Sequence, residues 1–126
     1  MRQISAKSRK IISTDKFYKT CARKGIMDHI CGGSLTMEHT LIYGGRQVDT
    51  AWAIIPLCSK AHAVNHFQDG GDLDKEINLW IALNRATDEE LLAVSKATPY
   101  MRERARLNRK YGFYTPPAYN PYDVHQ

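Results

Sequence analysis

Paired glycines at 32–33, 44–45 and 70–71 mark tight turns in the first 71 residues, and the next glycine after them is Gly112. Short strands and turns are therefore expected in front and helices behind, the pattern of an α+β domain. After Gly32-Gly33, Leu35, Met37 and His39 alternate with Thr36 and Glu38, as in a short strand. The second glycine pair follows Leu41-Ile42-Tyr43. The apolar run from Thr50 to Ile55 then reads as another strand, ended by Pro56. From Leu57 to Phe67 the spacing turns helical, with Cys58, Ala61, His62 and Asn65-His66 at three- and four-residue steps.

Beyond Gly71, residues 73–86 place Leu73, Ile77, Trp80-Ile81 and Asn84 on or near one stripe of a helix. Thr87 and Glu90 have the spacing of a capping box that opens a second helix. Pro99 is expected to start a third, running from Tyr100 to Lys110 and stopped at Gly112. Trp52 and Trp80 are the expected core anchors. The chain thus divides into a basic N-terminal arm (1–24), a central domain with its C-terminal helices (25–112) and a Pro/Tyr-rich tail (113–126) that wraps the surface or stays flexible.

At 126 residues the chain can bury a core without disulfide staples. Its longest apolar run, Ala53-Ile54-Ile55-Pro56-Leu57-Cys58, is too short to cross a bilayer, and the polar, basic start has no secretory pattern. The expected compartment is the cytoplasm. There Cys21, Cys31 and Cys58 are expected to be reduced, with no disulfide required. Charge is unevenly spread. Residues 1–24 hold eight Lys or Arg against Asp15 alone, residues 25–95 hold four against ten acidic groups, and residues 96–110 hold six against Glu103. Two basic ends flanking an acidic middle suit a polyanion such as DNA; solvated helix faces are the plainer alternative.

The chemistry concentrates in Glu38-His39 and in His62-x-x-x-His66. On a helix, residues four apart share one face, so His62 and His66 can bind one divalent ion together. Glu38, delivered from a strand, would complete the ligand set. His39 would stand beside the ion, with an ordinary pKa suited to taking a proton from water near neutral pH. Metal on phosphate plus a histidine base describes phosphodiester hydrolysis.

Glu38-His39, Gly44-Gly45, Trp52 to Cys58 and His62-x-x-x-His66, in that order, resemble the HNH (ββα-metal) endonucleases, and among them small phage-encoded members. The resemblance covers residues 28–67. It implies a ββα-metal core, His39 as general base, Glu38, His62 and His66 as ligands of a divalent ion (Mg, Mn, Ni or Zn), and DNA as substrate. Arg46, Lys60, Arg102, Arg106, Arg109 and Lys110 are the candidate phosphate contacts. The sequence departs from the family at two places. Ala53 stands where the family has its Asn, so no side chain there can orient the base. Where many members carry two Cys-x-x-Cys pairs for a structural zinc, this chain reads Asp28-x-x-Cys31 and Cys58-x-x-Ala61. A zinc held by Asp28 or His29 with Cys31 and Cys58 is one outcome; two buried cysteines acting as small hydrophobes is the other. The alternative function is a weak or inactive HNH-fold module that binds nucleic acid or a host or phage protein, such as a counter-defence protein.

Overall fold

The computed structural model describes residues 5–26, 29–43, 46–47, 50–61, 71–94 and 99–118. Helix α1 (Ala6–Thr14) opens on Ser5, whose Oγ accepts the Ser8 N–H at 3.2 Å. Asp15 ends it and caps the next turn, a 3-10 helix over Lys16–Lys19, by accepting the Phe17 N–H at 3.0 Å. The segment expected to be an arm is thus helical. Its continuation is part of the core: Tyr18, Thr20, Cys21, Ala22 and Arg23 are buried. The helix is too polar to show an apolar stripe, and the residues that anchor this segment come after it. Arg23 is held inside by Asp74 at 2.8 Å and Asn78 at 3.5 Å, which compensates the charge taken out of water.

Strand β1 (Leu35–His39) pairs antiparallel with β4 (Ile54–Cys58), Leu35 opposite Cys58 and His39 opposite Ile54. Between them lie β2 (Ile42–Tyr43) and β3 (Arg46–Gln47), which form a second two-stranded sheet, and a 3-10 turn over Ala51–Ala53. The strand expected at 50–55 therefore begins only at Ile54 and runs through Pro56, and the helical turn begins at Ser59 and not at Leu57. Pro56 is tolerated because its carbonyl faces away from β1, accepting the Ala22 N–H at 2.8 Å. In an antiparallel strand N–H and C=O of one residue point the same way, so β1 never needed the missing donor. All five residues of β4 are buried. On β1 the buried residue is Glu38, with the flanking Met37 and His39 half-exposed.

Helices α2 (Gly71–Arg85), α3 (Asp88–Val94) and α4 (Pro99–Tyr111) cover the sheet and each other. The capping box forms as expected: the Glu90 N–H donates to Thr87 Oγ1 at 3.1 Å and the Thr87 N–H to Glu90 Oε1 at 2.9 Å. Gly112 ends α4 at φ +84°, a left-handed conformation that favours glycine, and its N–H reaches the Asn108 carbonyl at 2.8 Å. Trp52 and Trp80 are both core residues. Trp80 donates to Asn108 Oδ1 at 3.1 Å and to the Gly112 carbonyl at 2.9 Å, and packs edge-on against Tyr114, centroids 5.4 Å apart. The start of the tail is tied to the body by Tyr114, which is buried and donates to the Ala22 carbonyl at 2.8 Å; residues 119–126 lie outside the described residues. Among the described residues no helix is long and apolar enough to cross a membrane.

Candidate metal centre

At the Leu35–Cys58 end of the sheet, side chains from three separate stretches of chain converge. The Ala22-to-Pro56 hydrogen bond lays Cys21 beside Cys58. Successive tight turns (Lys24 N–H to Cys21 carbonyl, Ile26 N–H to Arg23 carbonyl, His29 N–H to Ile26 carbonyl) then bring the chain back to the same point. Gly33 closes the arrangement. At φ +82°, with the place of a Cβ only 2.6 Å from the Ser59 side chain, it lets residues 31–34 lie against the helical turn at 59–61. The Lys60 N–H donates to the Gly32 carbonyl and the Ser59 hydroxyl to the Ser34 carbonyl, both at 3.1 Å.

The result is a group of Cys21, His29, Cys31 and Cys58 whose ligand atoms all lie within 4.8 Å of one another, and which can hold a metal ion. His29 Nε2 is 3.4 Å from Cys58 Sγ and 3.8 Å from Cys21 Sγ. The Cys58 N–H donates to Cys21 Sγ at 3.4 Å. All three cysteines are free, as expected from the sequence. Burial pushes the Cys21 thiol up to about 12 and raises Cys31 as well. Cys58 goes the other way. Burial opposes its ionisation, but the N–H groups of Gly32, Ala61 and Lys60 around its sulfur outweigh that and hold it below the usual thiol value. His29 is lowered, by burial first and then by the charges of Arg23 and Lys60, which keeps its imidazole neutral and its lone pair available.

The sequence pointed to Asp28 or His29 with Cys31 and Cys58 and did not single out Cys21; Asp28 lies outside the described residues. Cys58 also belongs to the hydrophobic core and Cys31 packs against it, so their packing as small hydrophobes stands alongside the grouping with Cys21 and His29. The only signal for Cys21 was its identity: the intervals to His29, Cys31 and Cys58 match no recurring spacing.

The sequence-predicted site lies toward the other end of the same sheet. His39 is the last residue of β1 and pairs with Ile54; Glu38 pairs with Ile55 and is buried. Four residue steps of about 3.3 Å separate the two ends, roughly 13 Å. His62 and His66 lie outside the described residues, as does the side chain of Arg46, whose backbone is in β3. Ala53 is fully buried, and its backbone carbonyl accepts both the N–H and the hydroxyl of Thr40, at 2.9 and 2.8 Å. The main chain at position 53 thus supplies an acceptor for the residue that follows His39, although its side chain has none to offer.

Of the candidate phosphate contacts, Lys60, Arg102 and Arg109 are exposed. Arg106 and Lys110 are engaged with Glu76, at 3.1 and 2.8 Å, and Arg106 also with Glu103. Both remain about half exposed, at 48% and 51%. Comparison with protein-family models, with curated proteins and with solved structures finds no match.

Proposed function

We propose that this chain is a metal-dependent endonuclease of the HNH, ββα-metal, type that hydrolyses phosphodiester bonds of DNA. The observation that carries the reading is the β1–β4 pairing: the strand ending in Glu38-His39 is registered against one that passes directly into a helical turn at Ser59, ahead of His62. Strand, strand and helical turn in this order support the reading.

In this reading His39 takes a proton from the attacking water, at the end of β1 where Thr40 is pinned by the Ala53 carbonyl. Glu38, His62 and His66 hold a divalent ion, which when bound would supply Lewis acidity to the scissile phosphate. The substrate side is supported by charge. The 3-10 turn at Ala51–Ala53 borders the His39 end of the sheet, and α1 packs on it, with the Tyr18 hydroxyl bonded to the Ala51 carbonyl. That places the exposed Lys7, Arg9 and Lys10 of α1, with Lys16 and Lys19 after it, on elements joined to this end.

Supercoiled plasmid incubated with the protein and Mg²⁺, Mn²⁺ or Ni²⁺, against an EDTA control, tests the proposal. Nicked or linear product that appears only with metal supports it. DNA binding without cleavage under every metal would leave the binding-module alternative in its place.

A further inference from the structure

We infer that Cys21, His29, Cys31 and Cys58 bind one zinc ion in a closed tetrahedral site that fastens residues 5–31 to the junction of β4 with the helical turn at 59–61. The inference stands whether or not the chain cleaves DNA.

The geometry is that of a coordination shell. Zinc–sulfur and zinc–nitrogen bonds of about 2.3 and 2.0–2.1 Å at tetrahedral angles put two sulfurs about 3.8 Å apart, and a sulfur and a nitrogen about 3.5 Å apart. The two sulfur–nitrogen separations at His29, 3.4 and 3.8 Å, straddle that edge length, and no pair of ligand atoms exceeds 4.8 Å. Hydrogen bonding alone gives no comparable reason for three thiols and an imidazole to share one point, because thiols are weak donors and acceptors.

Donor chemistry selects the ion. Three thiolates and one imidazole suit zinc, whereas magnesium and calcium require oxygen ligands. Four protein donors complete the tetrahedron and leave no position for water or substrate, which is the mark of a structural site. The surroundings fit as well: the Cys58 N–H donates to Cys21 Sγ at 3.4 Å, and the Lys60 N–H, donating to the Gly32 carbonyl, holds the turn beside Cys58 against the segment of Cys31. Such bonds orient ligands and spread the charge of the thiolates. Binding displaces one proton from each of three thiols and none from the neutral histidine, with no redox step.

The consequence is mechanical. Cys21 belongs to the segment that carries the basic α1, and Cys58 is the last residue of β4, four positions before His62. One ion therefore joins the basic N-terminal segment to the strand leading into the expected ligands.

Metal analysis and X-ray absorption on the full-length wild-type protein, purified with zinc and dialysed into metal-free buffer, test this directly. The expected result is a retained zinc with three sulfurs and one nitrogen around it, and the same shell in His62→Ala, which lacks an expected ligand of any second ion. Cobalt in its place should give the strong visible bands of tetrahedral Co²⁺ with thiolate charge transfer in the near ultraviolet, lost or weakened in Cys21→Ser. Zinc absent after dialysis, a shell with fewer than three sulfurs, or an unaltered cobalt spectrum in Cys21→Ser would overturn the inference. Since the absorption measurement uses unmutated protein, a variant that fails to fold does not decide the matter.

Discussion

The carbonyl of Ala53 accepts two hydrogen bonds from Thr40, one from its N–H at 2.9 Å and one from its hydroxyl at 2.8 Å. It thereby ties the end of β1 to the turn that opens β4. Ala53 has no exposed surface, so an asparagine there has no room and must displace its neighbours. Ala53→Asn is expected to destabilise by about 1–3 kcal/mol without raising cleavage, as read by urea unfolding and plasmid nicking. Thr40→Val removes one of the two bonds and should cost about 1 kcal/mol. A gain in cleavage with Ala53→Asn would show that the missing side chain, and not the main-chain acceptor, limits the site.

The helical half was the most legible in sequence. Thr87–Glu90 and Pro99–Gly112 are local signals, each satisfied within a few residues of itself, and the structure reproduces them. The start of β4 was misplaced because the 3-10 turn at Ala51–Ala53 is as apolar as the strand it precedes, and only the partner strand distinguishes them. Residues 6–14 showed little periodicity because α1 is polar nearly all round and the burial lies beyond it. Cys21 escaped notice for a related reason: its partnership is made by the Ala22–Pro56 bond, a tertiary interaction that no spacing rule encodes.

Gly33 is the position where the metal centre is most sensitive to a single methyl group. A Cβ would lie 2.6 Å from both side-chain atoms of Ser59, on backbone that is already left-handed. Gly33→Ala should cost more than about 1 kcal/mol and weaken zinc retention, because it pushes residues 31–34 off the turn at 59–61. Adding Ser59→Gly should recover the steric part and leave the backbone part. Calorimetry on the two variants would separate these contributions, and an unchanged melting temperature for Gly33→Ala would contradict the packing described.

Glu76 links α2 to α4 by accepting from Lys110 at 2.8 Å, Tyr111 at 2.6 Å and Arg106 at 3.1 Å. These bonds, Lys110 first, hold its carboxyl down to about 2 from an ordinary 4.5. A depressed carboxylate pKa stabilises the fold above its unfolded value, and that contribution is lost as pH falls from 4.5 toward about 2. Denaturant midpoints measured across that range should fall more steeply for wild type than for Glu76→Gln. Added salt should reduce the difference, since the cations are exposed. Parallel profiles would show that the cluster contributes nothing to acid sensitivity.

DNA binding should depend more on α1 and the turn after it than on the engaged cations of α4. Fluorescence anisotropy on a His39→Ala background, which removes turnover, can measure it as a function of salt. Replacing Lys7, Lys10 and Lys19 together by alanine should flatten the log–log salt slope by about 0.9 for each phosphate no longer neutralised. Arg106→Ala with Lys110→Ala should change it less, since both cations are occupied by Glu76. The reverse ranking would move the nucleic-acid surface to α4.

The nuclease account stands or falls on His39, which closes β1 opposite Ile54. The decisive measurement is metal-dependent plasmid nicking by wild type and His39→Ala side by side, each first shown to be folded and to bind DNA. The account predicts cleavage by wild type that requires added divalent metal, and a loss of about 10²–10⁴-fold in His39→Ala, the usual worth of a general base. Wild-type protein that never cuts, or a His39→Ala variant that cuts as fast as wild type, would contradict it.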